Sequence, residues 1–281
     1  GKFSATSGTS WGPKISELPN DATYGGNTDN KYTQQYGKQQ GKYYVPQRAS
    51  AGLDPWVTPQ AYDNAKEFFD TGITWSNSLN VAQMLEKSSY SISLGNTHQD
   101  GIISSTGMDR YNVKVSADTK LTNNWSSGFT ANYITTSIDK AVTSGNGLLR
   151  TVYAAPPSYD LAGIPSHVDG NQYTQNSFRG SFDNAYWAMD NNKFTEDTNR
   201  FFGNVYASYQ TDFGTTNHKL NAKYMVGVDA YTTHYVDSYG YGSNTGGGRG
   251  QIENYGWTNA TYNSLLTINY DWHINEDWGL N

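Results

Sequence analysis

The sequence contains no cysteine, which excludes disulfide bonds, thiolate zinc sites and cysteine nucleophiles. It has no apolar stretch near the roughly 20 residues that a membrane-spanning helix needs. Basic residues are not in excess: the sequence has 19 Lys and Arg and 25 Asp and Glu. The resulting net charge of −6 argues against a nucleic-acid partner, which would require a basic surface.

Apolar residues are scarce, but aromatic residues are not. Only 36% of the 281 residues are hydrophobic, yet 15% are aromatic, with 23 Tyr, 8 Trp and 10 Phe, and there are 29 Gly. The chain is too polar for a large core and too aromatic for disorder. This composition is typical of a bacterial exported protein, and it predicts an all-β fold that buries less apolar surface than its aromatic content suggests.

Alternation of polar and apolar residues with a period of two dominates the sequence. Between Tyr111 and Leu121, for example, the odd positions are mostly apolar and the even positions are polar. Such runs are longer than the usual 5–6 residues of a soluble strand. A short helix is predicted over Pro59–Phe69, with Thr58 as its N-cap. Strands are predicted near 2–10, 72–82, 88–98, 108–121, 124–138, 199–213, 217–233 and 260–274, with a further strand starting at 278.

The connections between these strands alternate between short and long. Long loops are predicted at 11–71, 139–198 and 234–259. All short turns then lie at one end of an up-and-down meander and all long loops at the other, as in outer-membrane barrels. The predicted fold class is therefore all-β, a partial antiparallel up-and-down transmembrane β-barrel with long extracellular loops. A soluble β-sandwich or β-helix is the alternative, since its strands also alternate.

Aromatic residues are predicted at both ends of the apolar face, as in the interfacial girdles of membrane barrels. The set expected at the short-turn end is Tyr111, Trp125, Phe213, Trp272 and Trp278. The set expected at the long-loop end is Tyr133, Phe201, Tyr231 and Tyr262.

Both ends of the sequence suggest a fragment. Residue 1 is Gly without a preceding signal segment, and the last residues begin an alternating strand. A barrel must also close, because an open strand edge is not tolerated in lipid. Residues 1–281 are therefore expected to be a portion of one transmembrane β-barrel domain.

Two blocks of sequence resemble the SusC/RagA-type TonB-dependent transporters. The block 88–133 contains a strand, the turn Gln-Asp-Gly-Ile at 99–102, the entry Gly-Met-Asp-Arg-Tyr at 107–111 and the next hairpin, in the family's order. The block 184–210 is similar to the family's Asn-Pro-Tyr-Trp … Asn-Arg segment, with Ala185 in place of the usual Pro. Stretches 7–14 and 75–83 fit the first barrel strands.

This resemblance implies a barrel of about 22 strands in the outer membrane of a Bacteroidetes-type bacterium. It implies three kinds of partner besides outer-membrane lipid: a SusD-like surface lipoprotein, the TonB complex, and an oligosaccharide or peptide ligand. The amino-terminal extension, the TonB box, the plug and the later strands would lie outside this sequence, and TonB would act through that amino-terminal part. The chain would supply wall and extracellular loops for nutrient import.

No motif in the sequence predicts catalysis, a cofactor or a metal site. Gly8-Thr9-Ser10-Trp11-Gly12 matches the nucleophile elbow but lacks the helix that must follow it. The five histidines have no paired spacing, and Asp169-Gly170-Asn171 lacks the acidic series of a calcium loop. The chain is therefore predicted not to be an enzyme. A soluble extracellular carbohydrate-binding or glycoside-hydrolase domain is the alternative function, because acidic residues are plentiful.

Two sets of residues are the predicted functional positions. Aromatic residues in the long loops are candidates for substrate contact, with packing of the loops as the alternative: Trp56, Tyr153, Tyr159, Tyr186, Trp187, Tyr239 and Tyr241. Polar residues on the inward strand face are candidates for lining a lumen or contacting a plug: Asn112, Lys114, Asp118, Asn221 and Lys223.

Overall fold

A computed structural model of the chain describes residues 14–141, 148–215, 217–273 and 278–280. Strands hold 52% of the described residues and helices 15%. The chain is therefore mostly β, as its alternating sequence predicts.

The described residues form twelve strands. In chain order they are β1 (Tyr43–Tyr44), β2 (Trp56–Val57), β3 (Ile73–Met84), β4 (Ser88–Asp100), β5 (Gly107–Lys120), β6 (Trp125–Lys140), β7 (His167–Val168), β8 (Asn171–Gln175), β9 (Lys193–Thr211), β10 (His218–Tyr239), β11 (Gln251–His273) and β12 (Gly279–Leu280).

The helices are short and lie between the strands. The α-helices are α1 (Lys31–Tyr36), α2 (Pro46–Ser50), α3 (Asn64–Phe68), α4 (Leu148–Ala154) and α5 (Ala185–Asn191). Two 3₁₀-helices cover Ile15–Asn20 and Thr245–Gly248.

Eight of the strands form one antiparallel sheet with the order β12-β11-β10-β9-β6-β5-β4-β3. Each strand pairs with its predecessor, so the sheet is an up-and-down meander that the segment between β6 and β9 interrupts without adding a strand. The connections that follow β3, β5 and β9 share one end of the sheet. Those that follow β4, β6 and β10 share the other, so the long connections after β6 and β10 lie at one end, as predicted, although the connection after β4 is as short as the one after β9.

The three longest strands extend well beyond their predicted bounds. β9 begins at Lys193 instead of 199, β10 ends at Tyr239 instead of 233, and β11 begins at Gln251 instead of 260. The predicted loops 139–198 and 234–259 are therefore too long. The prediction followed apolar alternation, which fades where polar residues continue each strand, but backbone hydrogen bonds do not depend on apolar side chains.

Two other predictions concern a helix over Pro59–Phe69 and a strand at 2–10. The helix predicted over Pro59–Phe69 is wrong in its first half, because α3 begins only at Asn64. Its N-cap is Asp63, whose carboxylate accepts a hydrogen bond from the Lys66 amide at 3.2 Å. The strand predicted at 2–10 lies outside the described residues.

Except for Phe194 at the start of β9, the buried hydrophobic residues lie in the long connections and not on the eight-stranded sheet. We call this assembly, residues 14–72, 148–192 and 240–250, the loop cap. Its core includes Leu18, Phe68, Leu161 and Trp187. The core residues come from connections far apart in sequence: Leu18, Tyr43, Val45, Phe68, Leu148, Val152, Ala155, Tyr159, Leu161, Ile164, Phe178, Ala185, Trp187 and Ala188.

The extension of β10 beyond its apolar segment can be tested by amide hydrogen exchange. β10 is paired on both sides as far as Ser238, so we expect residues 234–238 to exchange as slowly as 222–230. Ser104 and Ser105, exposed residues of the connection between β4 and β5, are the internal control and should exchange at least about a hundred times faster, because locally open segments have low free energies of opening. Exchange of 234–238 at the control rate would contradict the register.

Candidate functional site

Pairing across the sheet aligns side chains into rows that share one face. One such row runs through Leu79, Leu94, Val113, Tyr133 and Phe201 and ends at Ala230 and Ala260. The adjacent row on the same side contains Val81, Ile92, Val115, Ala131, Gly203, Val228 and Tyr262. We call this side of the sheet the apolar face.

The apolar face is exposed along its full width. Leu79 is 58% exposed, Val205 is 54% exposed and Tyr262 is 76% exposed. Soluble monomers rarely expose a contiguous apolar patch of more than a few hundred Å². The face therefore requires an apolar environment that the described residues of this chain do not provide.

The opposite side, which we call the polar face, carries all five residues predicted to face inward. Asn112, Lys114 and Asp118 project from β5, and Asn221 and Lys223 project from β10. The row Asp118–Gly128–Tyr206–Met225 places both sets on the same side. Nothing in the structure tests what this face contacts, so lining a lumen stays a prediction.

Polar side chains on this face bind one another. The Tyr206 hydroxyl donates to the Asp118 carboxylate at 2.6 Å, and the Lys223 ammonium lies 4.0 Å from the centre of the Tyr206 ring. Gly128 makes room for this contact, since a Cβ there would lie 2.7 Å from the Tyr206 ring. Arg200 forms a bidentate ion pair with Asp229 on the same face, with N–O distances of 2.8 and 2.5 Å.

Two of the predicted girdle aromatics are misplaced. Tyr111 lies near the start of β5, at the long-loop end, and was predicted at the short-turn end. Tyr231 pairs with Arg200 and therefore lies on the polar face. Both errors arise because alternation alone does not define the direction of a strand or the first residue of a face. Trp125, Trp272 and Trp278 lie at the short-turn end as predicted.

The segment 183–187 organises the loop cap. Asn184 caps α5 by accepting hydrogen bonds from the amides of Tyr186 and Trp187 at 3.0 and 3.3 Å, and its own amide group donates to the Asn176 carbonyl at 3.0 Å. Trp187 is 1% exposed, and its indole N–H donates to the Gln172 carbonyl at 2.8 Å. The Asn-Ala-Tyr-Trp motif is therefore a structural element of the cap.

The buried carboxylate of Asp183 joins separate connections of the cap. It accepts from Gln175 at 2.7 Å, from the Ser243 hydroxyl at 2.6 Å, and from both the amide and the side chain of Asn244 at 2.7 and 2.9 Å. Charge-assisted bonds of this type are stronger than neutral ones. They fix the connection between β10 and β11 against the segment that precedes α5.

The seven aromatic residues predicted to contact substrate differ in how far their rings are exposed. Trp56, Tyr159 and Trp187 are buried in the cap core, where they pack the connections together and expose almost no ring surface. Tyr186 is half-buried and packs on Phe68, and Tyr239 lies at the end of β10 and packs on Phe194. Tyr153 and Tyr241 are 64% and 65% exposed, so their rings are available to a ligand.

Sequence reasoning missed a stack of tyrosines in the cap. The Tyr32 ring lies 3.7 Å from Tyr44 and 5.8 Å from Tyr24, and Tyr36 lies 6.0 Å from Tyr44, all nearly parallel. The signal was the spacing of four between Tyr32 and Tyr36, which places both on one side of a helix. Asn30 starts that helix with a capping box.

Two buried tyrosines of the cap have raised pKa values. Burial raises the pKa of Tyr43 to about 12, and its hydroxyl donates to the Ser158 carbonyl at 2.5 Å. Burial raises the pKa of Tyr159 as well. Both phenols are neutral at physiological pH. Tyr43 acts as a hydrogen-bonding group, and the Tyr159 ring packs on Phe178.

The described residues contain no group of three or more His, Asp and Glu side chains arranged to hold a metal ion. In the same part of the chain, no helix is long and apolar enough to cross a membrane. The sequence matches no protein-family model and no curated protein.

The role of Asp183 in fixing the cap can be tested by substitution. Asp183→Ala leaves the donors of Gln175, Ser243 and Asn244 without an acceptor, so we expect the cap to lose about 1–3 kcal/mol of stability. Limited proteolysis of the native protein would show faster cleavage within 240–250. Asp190→Ala removes an exposed carboxylate of the same segment and is the matched control. Equal cleavage of the two variants would contradict the proposed clamp.

Proposed function

We propose that the chain forms part of the wall and the extracellular loops of an outer-membrane importer of the SusC/RagA type. The observation that carries this proposal is the exposed apolar face of the eight-stranded meander. The hydrophobic core of the chain lies in the loop cap and leaves this face uncovered. In a membrane barrel, lipid covers one face of each strand while the other faces a polar interior. Missing strands would close the wall.

The height of the apolar band supports a membrane location. On β10 the band runs from Leu220 to Ala230, before the face continues with Thr232. These eleven residues span about 33 Å along the strand, or about 25 Å at a strand tilt of about 40°. The outward apolar band of outer-membrane barrels has about this height.

The band also shifts along the register, as tilted strands require. At the short-turn end, the outermost aromatic residue of the apolar face on β4 is Tyr90. The row of paired residues through Tyr90 reaches Ser264 on β11. The outermost aromatic residue of the same face on β11 is instead Trp272, eight residues beyond Ser264. A shift of about 26 Å across five spacings of about 4.8 Å corresponds to a tilt of about 48°.

The long-loop end shows the same shift. There the outermost aromatic residue of the apolar face on β3 is Trp75. The row of paired residues that starts at Trp75 reaches Gly256 on β11. The outermost aromatic residue of the same face on β11 is instead Tyr262. Six residues, about 20 Å, across six spacings of about 4.8 Å correspond to a tilt of about 35°. The two values bracket the tilt of about 35–45° found in outer-membrane barrels.

The polar face and the cap then have complementary roles. Asn112, Lys114, Asp118, Asn221 and Lys223 line a wet lumen or bond to a plug. The cap lies outside the membrane, where its exposed rings contact an oligosaccharide or peptide. A SusD-like lipoprotein covers the cap, and the TonB complex supplies the energy for import through parts of the protein outside this sequence.

A matched pair of arginine substitutions tests which face meets lipid. Val205 lies at the middle of the band on β9, and its neighbour Asn204 lies on the polar face. We expect Val205→Arg to destabilise the complete protein in lipid vesicles by about 2–4 kcal/mol, because a charge at the bilayer midplane on the lipid face is costly. Asn204→Arg is the control and should have a much smaller effect on urea unfolding. Equal effects would contradict the orientation.

The cellular location can be tested by fractionation. We expect the complete protein to remain in the outer-membrane pellet after a carbonate wash and to be released only by detergent, because the apolar face is covered by lipid. Recovery in the soluble fraction would overturn the proposal and favour a soluble extracellular carbohydrate-binding or glycoside-hydrolase domain.

A further inference from the structure

Three aromatic rings cluster on the polar face at the long-loop end of β10 and β11. Tyr235 lies four residues beyond Tyr231 on β10 and therefore shares the polar face. It pairs directly with Tyr255, and the two rings stack with their centres 5.0 Å apart and their planes at 10°. Trp257 packs on the same Tyr235 ring at 5.2 Å. We call Tyr235, Tyr255 and Trp257 the ring cluster.

The two rings that β11 contributes to this cluster are open to solvent. Tyr255 is 43% exposed and Trp257 is 51% exposed. Other rings of the polar face already hold a cation of the chain, since Lys140 lies 4.5 Å from the centre of Tyr235 and Lys223 lies over the Tyr206 ring. Among the residues that the structure describes, no lysine or arginine lies over either β11 ring.

Two carboxylates lie directly opposite each other beside the ring cluster. Asp237 pairs with Glu253, two residues beyond the paired Tyr235 and Tyr255 and on the same face. Like charges at directly opposed positions of a sheet repel each other. The Tyr255 hydroxyl donates to the Asp237 carboxylate at 3.1 Å, which gives this carboxylate a hydrogen bond but no positive charge.

No cation of the described residues compensates this carboxylate pair. Within 14–141, 148–215, 217–273 and 278–280, no basic side chain lies within salt-bridge distance of Asp237 or Glu253. The nearest acids on the same face do have cations, because Glu196 binds Lys140 at 3.1 Å and Asp229 binds Arg200. The end of the polar face next to the cap therefore has an excess negative charge beside two exposed rings.

We propose that Tyr255, Trp257, Asp237 and Glu253 form a binding site for an arginine side chain of a peptide ligand. A guanidinium is planar, stacks on aromatic rings and binds carboxylates through paired hydrogen bonds. It would supply the positive charge that the carboxylate pair lacks.

Other ligand groups fit these residues less well. A neutral sugar ring can stack on an aromatic ring but leaves the repulsion of the carboxylates unchanged. A lysine ammonium lacks the planar fork of a guanidinium. The site rests on the proposed import function and deepens it, because it names an arginine-containing peptide as the substrate that passes from the cap to the lumen.

Titration of the complete protein in detergent tests this site. The probe is N-acetyl-glycyl-arginyl-glycine amide, and its neutral counterpart carries citrulline, which has the shape of arginine without its charge. We expect saturable heat of binding for the arginine probe and binding at least about tenfold weaker for the citrulline probe, because hydrogen bonds between charged groups are the stronger ones. Glucosamine, a sugar with a positive charge, should bind no better than the citrulline probe.

Substitutions locate the binding. Glu253→Gln and Asp237→Asn should each weaken binding of the arginine probe about tenfold, and Trp257→Leu should weaken it about threefold or more. Asp271→Asn is the matched control, because it removes a carboxylate from the same face of β11 at the short-turn end. It should leave the affinity within about twofold, since distant exposed charges are screened.

Several outcomes would overturn the site: no saturable binding of the arginine probe, equal binding of the two peptides, tighter binding of glucosamine, or equal losses in Asp271→Asn and Glu253→Gln. Folding has its own control, because Glu253→Gln removes one of two like charges and should not lower the melting temperature without ligand. A clear decrease would show that another part of the protein already supplies the cation. Fractionation tests the wall and titration tests this site, so either can fail alone.

Discussion

The unbroken register of the eight-stranded sheet is the constraint on which the rest of the structure depends. Side chains alternate along each strand, so a slip of one residue would move every apolar side chain to the opposite face. Phe129 pairs with Val205 across the segment between β6 and β9, and the rows continue without offset from β3 to β11. The two faces exist only because each hairpin preserves this alignment.

With this register, the described residues of the chain do not bury the apolar face. Its hydrophobic core forms in the loop cap at one end of the sheet. This distribution fits a protein with only 36% hydrophobic residues: the connections share a small core, and the apolar face of the strands needs cover from outside the described residues. In the cap, side-chain hydrogen bonds of Asp183 and Asn184 supplement a modest apolar interior.

The same division separates the two surfaces for which a function is proposed. Positions on the strands are repetitive, and their role is decided by the face on which they lie. Positions in the cap are individual, because their neighbours come from segments that the sequence separates widely, as Asp183 and Ser243 show. The wall would determine where the protein resides, and the cap and the polar face would determine what it binds.

The success of sequence reasoning differed between these parts for physical reasons. Strands β3 to β6 lie close to their predicted bounds, because a strand with one apolar face repeats every two residues. β9, β10 and β11 were predicted too short, since hydrogen bonding continues where the apolar pattern stops. The predicted loop aromatics were not distinguishable by sequence: Tyr153 follows the apolar Val152 yet is exposed, whereas Tyr159 lies between two polar residues yet is buried.

The sequence by itself determined the approximate positions of the long strands and their order, because alternation and connection length are local properties. It also determined that no cysteine chemistry takes place. Only the tertiary structure decided which aromatic residues pack inside the cap, which tyrosines stack, and that Asp183 binds Ser243 and Asn244. Those features depend on contacts between connections distant in sequence, and no local pattern encodes them.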